Sequence, residues 1–134
     1  MENIYIREVT ESDIDQLQKI GRQTFFETFS MGNTEENMKK YLEEMFTAEK
    51  LTAEFSNPNV GLYFAEINNN VVGYLKLNSG QSQTKLKDDK TLEIERIYEL
   101  REYHGKKVGQ LLYDKAIQVA TEKYAEYVWL GVWD

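Results

Sequence analysis

The apolar residues of this chain change period sharply at its single proline, Pro58. Ahead of it they recur at helical spacing. Thr10-Glu11-Ser12-Asp13 reads as a helix cap, with the Thr10 hydroxyl expected to accept from first-turn amides. Ile14, Leu17, Gly21, Thr24, Phe25 and Thr28 follow on one helical face, and Met31-Gly32-Asn33 ends that helix. Thr34 opens a second helix with Met38, Tyr41, Leu42, Met45 and Phe46 on one face, and Ala48, Leu51 and Phe55 mark a third, stopped at Asn57-Pro58-Asn59. Beyond the proline, Val60 to Ile67 and Val71 to Leu77 flank Asn68-Asn69-Asn70, which spells a hairpin. Thr91 to Tyr98 reads as another strand. Val108, Leu111, Leu112, Ala116, Val119 and Ala120 give an amphipathic helix. Tyr127 to Trp133 is apolar on both alternating faces, as in a strand covered on both sides.

With a first strand at Ile4 to Arg7, the order is strand, two or three helices, three strands, helix, strand. That order predicts an α/β (mixed α+β) domain spanning 1–134. Its sheet is mixed and mostly antiparallel, and a right-handed crossover from Thr91 to Trp133 makes one parallel pair. No composition break divides the 134 residues. The lack of cysteine excludes a thiolate metal site, a disulfide scaffold and a cysteine nucleophile. One histidine, His104, argues against a histidine-rich metal site, so no metal is expected. A formal charge of -7 speaks against a nucleic-acid partner and suits a cationic ligand, although acidity also serves solubility. No apolar run approaches membrane-spanning length and Met1-Glu2-Asn3-Ile4 lacks a secretory layout, so the expectation is a cytoplasmic protein without a membrane partner.

The segment Glu102-Tyr103-His104-Gly105-Lys106-Lys107-Val108-Gly109-Gln110-Leu111-Leu112 lies where a strand hands over to a helix. Two glycines four apart allow close backbone approach. The first helix amides lack internal partners, and Lys106 and Lys107 add charge, so the turn suits phosphate or pyrophosphate. It is neither a P-loop nor a dinucleotide fingerprint. The plain structural alternative is that Gly105 bends the chain and both lysines are solvated.

Leu92-Glu93-Ile94-Glu95-Arg96-Ile97-Tyr98 followed by Tyr103-His104-Gly105-Lys106-Lys107-Val108-Gly109 resembles motif A of the GNAT acetyltransferases, written Arg/Gln-x-x-Gly-x-Gly/Ala. His104 replaces the usual Arg or Gln, and Lys107 stands where glycine is common. The element order matches that family over essentially the whole chain. Thr91 to Val108 and the ending Trp129-Leu130-Gly131-Val132-Trp133 look similar to the PaiA-type polyamine acetyltransferases.

The resemblance implies acetyl-CoA as cosubstrate, held in a wedge between two splaying parallel strands. Its pyrophosphate would rest on the amides of His104, Gly105, Lys106, Lys107, Val108 and Gly109. Its pantetheine would pair with the backbone around Ile97 and Tyr98, where an N–H would polarise the thioester carbonyl. The acceptor would be a small amine such as spermidine or spermine. With an amine pKa near ~10.4, only about one molecule in 2,500 is neutral at pH 7, so a base is useful. Glu95 is the first candidate and Glu93, on the same strand face, the reserve; a cross-strand pair with a lysine is the bland alternative for both. Phe25, Phe26, Phe29 and Tyr41 would line the acceptor pocket or else pack the core, and Glu27, Glu35 and Glu36 would attract a polycation or else be solvated.

The family fold continues beyond the position of Asp134 with a helix that carries a tyrosine acid. This chain therefore reads as C-terminally truncated, with an open strand edge that predicts a homodimer. The competing readings are a CoA-binding regulatory or inactive protein without turnover, and a protein-interaction module of the same fold.

Overall fold

Five strands pair in the order β1-β2-β3-β4-β5 in a computed structural model that describes residues 3–29, 34–85 and 87–130. They are β1 (Ile4–Glu8), β2 (Val60–Ile67), β3 (Asn70–Ser79), β4 (Thr91–Glu99) and β5 (Tyr127–Leu130). The helices are α1 (Ile14–Phe29), α2 (Glu35–Met45), α3 (Ala48–Ser56) and α4 (Val108–Glu122). The first three strand pairs are antiparallel, and β4 and β5 run parallel across α4. This is the expected mixed α/β sheet flanked by helices. The expected helix end at Met31-Gly32-Asn33 and the strand positions Gly131, Val132 and Trp133 lie outside the described residues.

Local chemistry sets the element ends. Thr34 Oγ1 accepts from the Asn37 amide at 3.1 Å and Thr47 Oγ1 from the Lys50 amide at 3.1 Å, capping α2 and α3. Thr10 and Asp13 form the expected cap as a capping box, at a 3-10 turn over Glu11–Asp13 that leads into α1, and the Asp13 carboxylate accepts from the Thr10 amide and hydroxyl, each at 2.8 Å. Asn68 (φ 52) and Asn69 (φ 68) are both left-handed, the conformation a two-residue hairpin turn needs between right-twisted strands.

The sheet separates two apolar layers. On one face α4 covers Leu75, Leu77, Leu92 and Ile94 with Val108, Leu112 and Ala116, all buried. On the other, α1 and the α2–α3 segment cover Leu62, Phe64 and Tyr74 with Leu17, Ile20, Phe46 and Leu51. One irregularity governs the site. Lys76 pairs with Arg96 and Leu77 with Ile94, so Glu95 is an extra residue on β4. This β-bulge breaks the alternation. Ile94 and Ile97 pack toward α4, whereas Glu95 and Arg96 both reach the α1–α3 side.

Candidate active site

β4 leaves the sheet at Glu99, passes through a 3-10 turn at Arg101–Tyr103, and enters α4 at Val108. Gly105 (φ 85) and Lys107 (φ 69) are left-handed, which turns the chain sharply into the helix. A residue at φ 85 with open space around its Cα is a natural place for glycine. The amides divide into two groups. His104 N–H donates to Arg101 O at 3.1 Å and Lys106 N–H to Tyr103 O at 3.2 Å, so these two of the expected phosphate ligands are committed to the preceding turn. Among the described residues, no hydrogen bond engages the amides of Gly105, Lys107, Val108, Gly109 or Gln110. The first helix amides carry partial positive charge from the macrodipole. Residues 104–107 are exposed. The turn can therefore take an anion on backbone N–H groups.

The turn is braced from α1. The Glu27 carboxylate accepts from the Arg101 amide at 2.8 Å, and the Arg101 guanidinium donates to the Glu27 carbonyl at 2.6 Å. Glu27 also accepts from Gln23 at 2.9 Å, so its carboxylate is occupied with the protein's own donors. Glu35 and Glu36 are exposed in the first turn of α2.

β4 and β5 pair from Thr91–Tyr127 to Ile94–Leu130. Beyond that level Glu95, Arg96, Ile97, Tyr98 and Glu99 are all half-buried. The bulge gathers a charged cluster beneath them. Lys76 Nζ lies 2.9 Å from Glu54 Oε1 and 3.0 Å from Glu95 Oε2. The Arg96 guanidinium lies 3.4 Å from each of Glu54 Oε2 and Glu95 Oε2, and 5.3 Å above the Phe46 ring. Asn78 Nδ2 donates to Glu95 Oε1 at 2.8 Å and to Glu93 Oε1 at 3.0 Å. Burial would raise the Glu95 carboxyl, but Lys76, Arg96 and Asn78 outweigh it and hold the group below its ordinary value. Burial pushes the Tyr74 and Tyr98 hydroxyls up, so both stay protonated at neutral pH.

Glu93 has a different environment. It is fully buried, and it binds the Thr84 amide at 2.8 Å and the Thr84 hydroxyl at 2.6 Å besides Asn78. It pins the β3–β4 loop. That loop is held a second time by Gln83, whose Oε1 accepts from Thr91 and from the Trp129 indole, each at 2.8 Å.

Phe25 packs among Phe29 (4.7 Å), Phe46 (5.8 Å) and Tyr41 (6.4 Å) between α1 and α2, while Phe26 is exposed. Lys76, Asn78, Arg96 and Glu54 are the site residues that the sequence reading missed. Their signal was present in Tyr74-Leu75-Lys76-Leu77-Asn78. Polar residues alternating within a strand flanked on both sides must find buried partners. No cluster of metal-binding side chains occurs among the described residues, and none of their helices is long and apolar enough to cross a membrane.

Comparison with known proteins agrees with this geometry. Residues 16–134 match the acetyltransferase (GNAT) family. An uncharacterised N-acetyltransferase in the pepI 3′ region of Lactobacillus delbrueckii subsp. lactis is 35% identical over 134 residues, covering 100% of this chain and 78% of that one. The PaiA N-acetyltransferase of Thermoplasma acidophilum, solved in complex with coenzyme A, superposes with a TM-score of 0.77 at 24% identity, over 90% of this chain and 74% of that one. An aminoglycoside acetyltransferase from an uncultured soil metagenomic sample, bound to sisomicin, gives 0.71 at 20% identity, over 95% and 76%. The chain belongs to the GNAT family of acetyltransferases.

Proposed function

We propose that this protein transfers the acetyl group of acetyl-CoA to a primary amine of a small molecule, and that the amine is a polyamine such as spermidine or spermine. The observation that carries the cosubstrate is the run of amides at Gly105, Lys107, Val108, Gly109 and Gln110, which have no hydrogen-bond partner among the described residues and start at the exposed turn of Lys106 and Lys107. These donors fit a pyrophosphate. Acetyl-CoA supplies the activated acetyl group, and the backbone at Ile97 and Tyr98 pairs with its pantetheine arm. The relatives that carry N-acetyltransferase names support the amine as acceptor.

In this reading Glu95 takes the acceptor's proton, directly or through one water. Glu93 serves Glu95 through Asn78 and holds the adjoining loop, since its own oxygens are spent on Asn78 and Thr84. The exposed acids Glu35 and Glu36 and the formal charge of -7 favour a cationic acceptor. A cytoplasmic location goes with this cosubstrate. A homodimer built on the β5 edge, where Tyr127 is 68% and Leu130 58% exposed, belongs to the same reading and is checked by light scattering at micromolar concentration.

The test is thiol release from acetyl-CoA with spermidine, spermine and a monoamine as acceptors. Spermidine- or spermine-dependent release well above the monoamine rate is expected. Equal release from all amines would remove the polyamine assignment. No release with any amine would remove the activity.

A further inference from the structure

We propose that Lys76 is a positioning residue for the transfer reaction: anchored on Glu54, it orients the Glu95 carboxylate so that Oε1 is the oxygen that receives the acceptor's proton. The proposal rests on the reading of Glu95 as the base, and deepens it.

The lone pairs of Glu95 decide which oxygen is available. Each carboxylate oxygen offers about two acceptor positions. Oε2 accepts from Lys76 Nζ at 3.0 Å and lies 3.4 Å from the Arg96 guanidinium, so two cations face it and a proton there is disfavoured. Oε1 accepts one bond, from Asn78 Nδ2 at 2.8 Å, and keeps a place. Asn78 cannot turn around, because its Nδ2 lies between the carboxylates of Glu95 and Glu93 and a carbonyl there would face two anions. The same amide therefore carries Oδ1 on its other side, buried and without a donor. The open position on Glu95 Oε1, on a side chain that stays 19% exposed, is what a proton-bearing nitrogen, or a water bridging to it, would meet.

Lys76 is what holds this arrangement. Its side chain is 8% exposed in the middle of β3, where a linear apolar side chain would pack at lower desolvation cost. Glu54 on α3 fixes Nζ from the opposite side at 2.9 Å. The groups that face Glu95 are thus Glu54 from α3, Lys76, Asn78 and Tyr74 from β3, and Glu93, Arg96 and Tyr98 from β4. Lys76, Arg96 and Glu54 together place one net positive charge beside Glu95, and removing Lys76 leaves Arg96 and Glu54 to cancel, so the carboxylate loses that support. In the reaction the amine nitrogen forms a bond to the acetyl carbon, the carbon–sulfur bond breaks with its electron pair on sulfur, and the nitrogen's proton passes to Glu95 Oε1.

The experiment follows kcat/KM for spermidine against pH in the wild type, Lys76→Met, Lys76→Arg and Glu95→Gln, with carbon-13 NMR titration of the Glu95 carboxyl as a readout independent of turnover. Because Lys76→Met strips a buried cation, Lys76→Gln, which keeps a donor at that position without the charge, carries the same reading if Lys76→Met fails to fold. The wild type should place the Glu95 inflection below the ordinary glutamate value in both readouts. Loss of Lys76 should raise it by at least one pH unit, and Lys76→Arg should restore it. Wild-type and Lys76-free curves that superimpose, or a Lys76→Arg curve that follows Lys76→Met, would overturn the positioning role. A Glu95→Gln protein with the wild-type rate and profile would overturn the base assignment itself, and the positioning role with it.

Discussion

Lys107 sits at φ 69, ψ 14, a left-handed conformation that costs a side-chain-bearing residue about 1–2 kcal/mol. GNAT motif A usually has glycine there. Glycine would relieve that strain, and about 0.4–1 kcal/mol of the gain would be offset by the greater freedom of the unfolded chain. Lys107→Gly is therefore expected to raise the melting temperature by a few degrees. A thermal melt that shifts downward would show that the Lys107 side chain contributes more than its backbone costs. His104 and Lys106 show how residue-scale reading runs out. The motif suggested six amides for phosphate, and the two that are already bonded belong to a 3-10 turn that sequence spacing does not reveal.

Among the elements, the order and pairing of strands were legible because a period of two and a period of 3.6 are different signals. The Asn68-Asn69 turn fixed the β2–β3 register in the same way. The bulge at Glu95 was not legible. It depends on how β4 meets β3, and Glu93-Ile94-Glu95-Arg96-Ile97 reads as plain alternation up to Glu95. The shared face of Glu93 and Glu95 followed from that alternation, whereas Arg96 joining them did not. Close approach of β3 and β4 also depends on Gly73. A Cβ there would lie 2.7 Å from the Tyr98 carbonyl and 3.2 Å from Val108 Cγ1. Gly73→Ala is expected to cost about 1–3 kcal/mol in urea unfolding, because it forces the β4 backbone and the start of α4 apart. A midpoint unchanged from the wild type would mean that the strands yield without cost.

For the whole molecule, two acids tie stability to pH. Asp13 is held below its ordinary value chiefly by hydrogen bonds from Arg7, at 2.7 and 3.2 Å, and Glu95 is held below its own against the opposing effect of burial. A carboxyl depressed in the folded state contributes stability that is present above its unfolded value, near ~4, and is lost as pH falls toward the folded one. The urea midpoint should stay level from pH 8 to 5 and drop below pH 4. A midpoint that rises on going from pH 5 to 3 would contradict the assigned charges.

The largest claim for the molecule is that the entry to α4 binds the diphosphate of the cosubstrate. Isothermal titration of the protein with CoA, set beside pantetheine, measures this directly. CoA is expected to bind with one site per chain and at least about tenfold more tightly than pantetheine, which lacks the phosphates that charge-assisted amide bonds hold. No heat with CoA, or equal affinity for CoA and pantetheine, would contradict it.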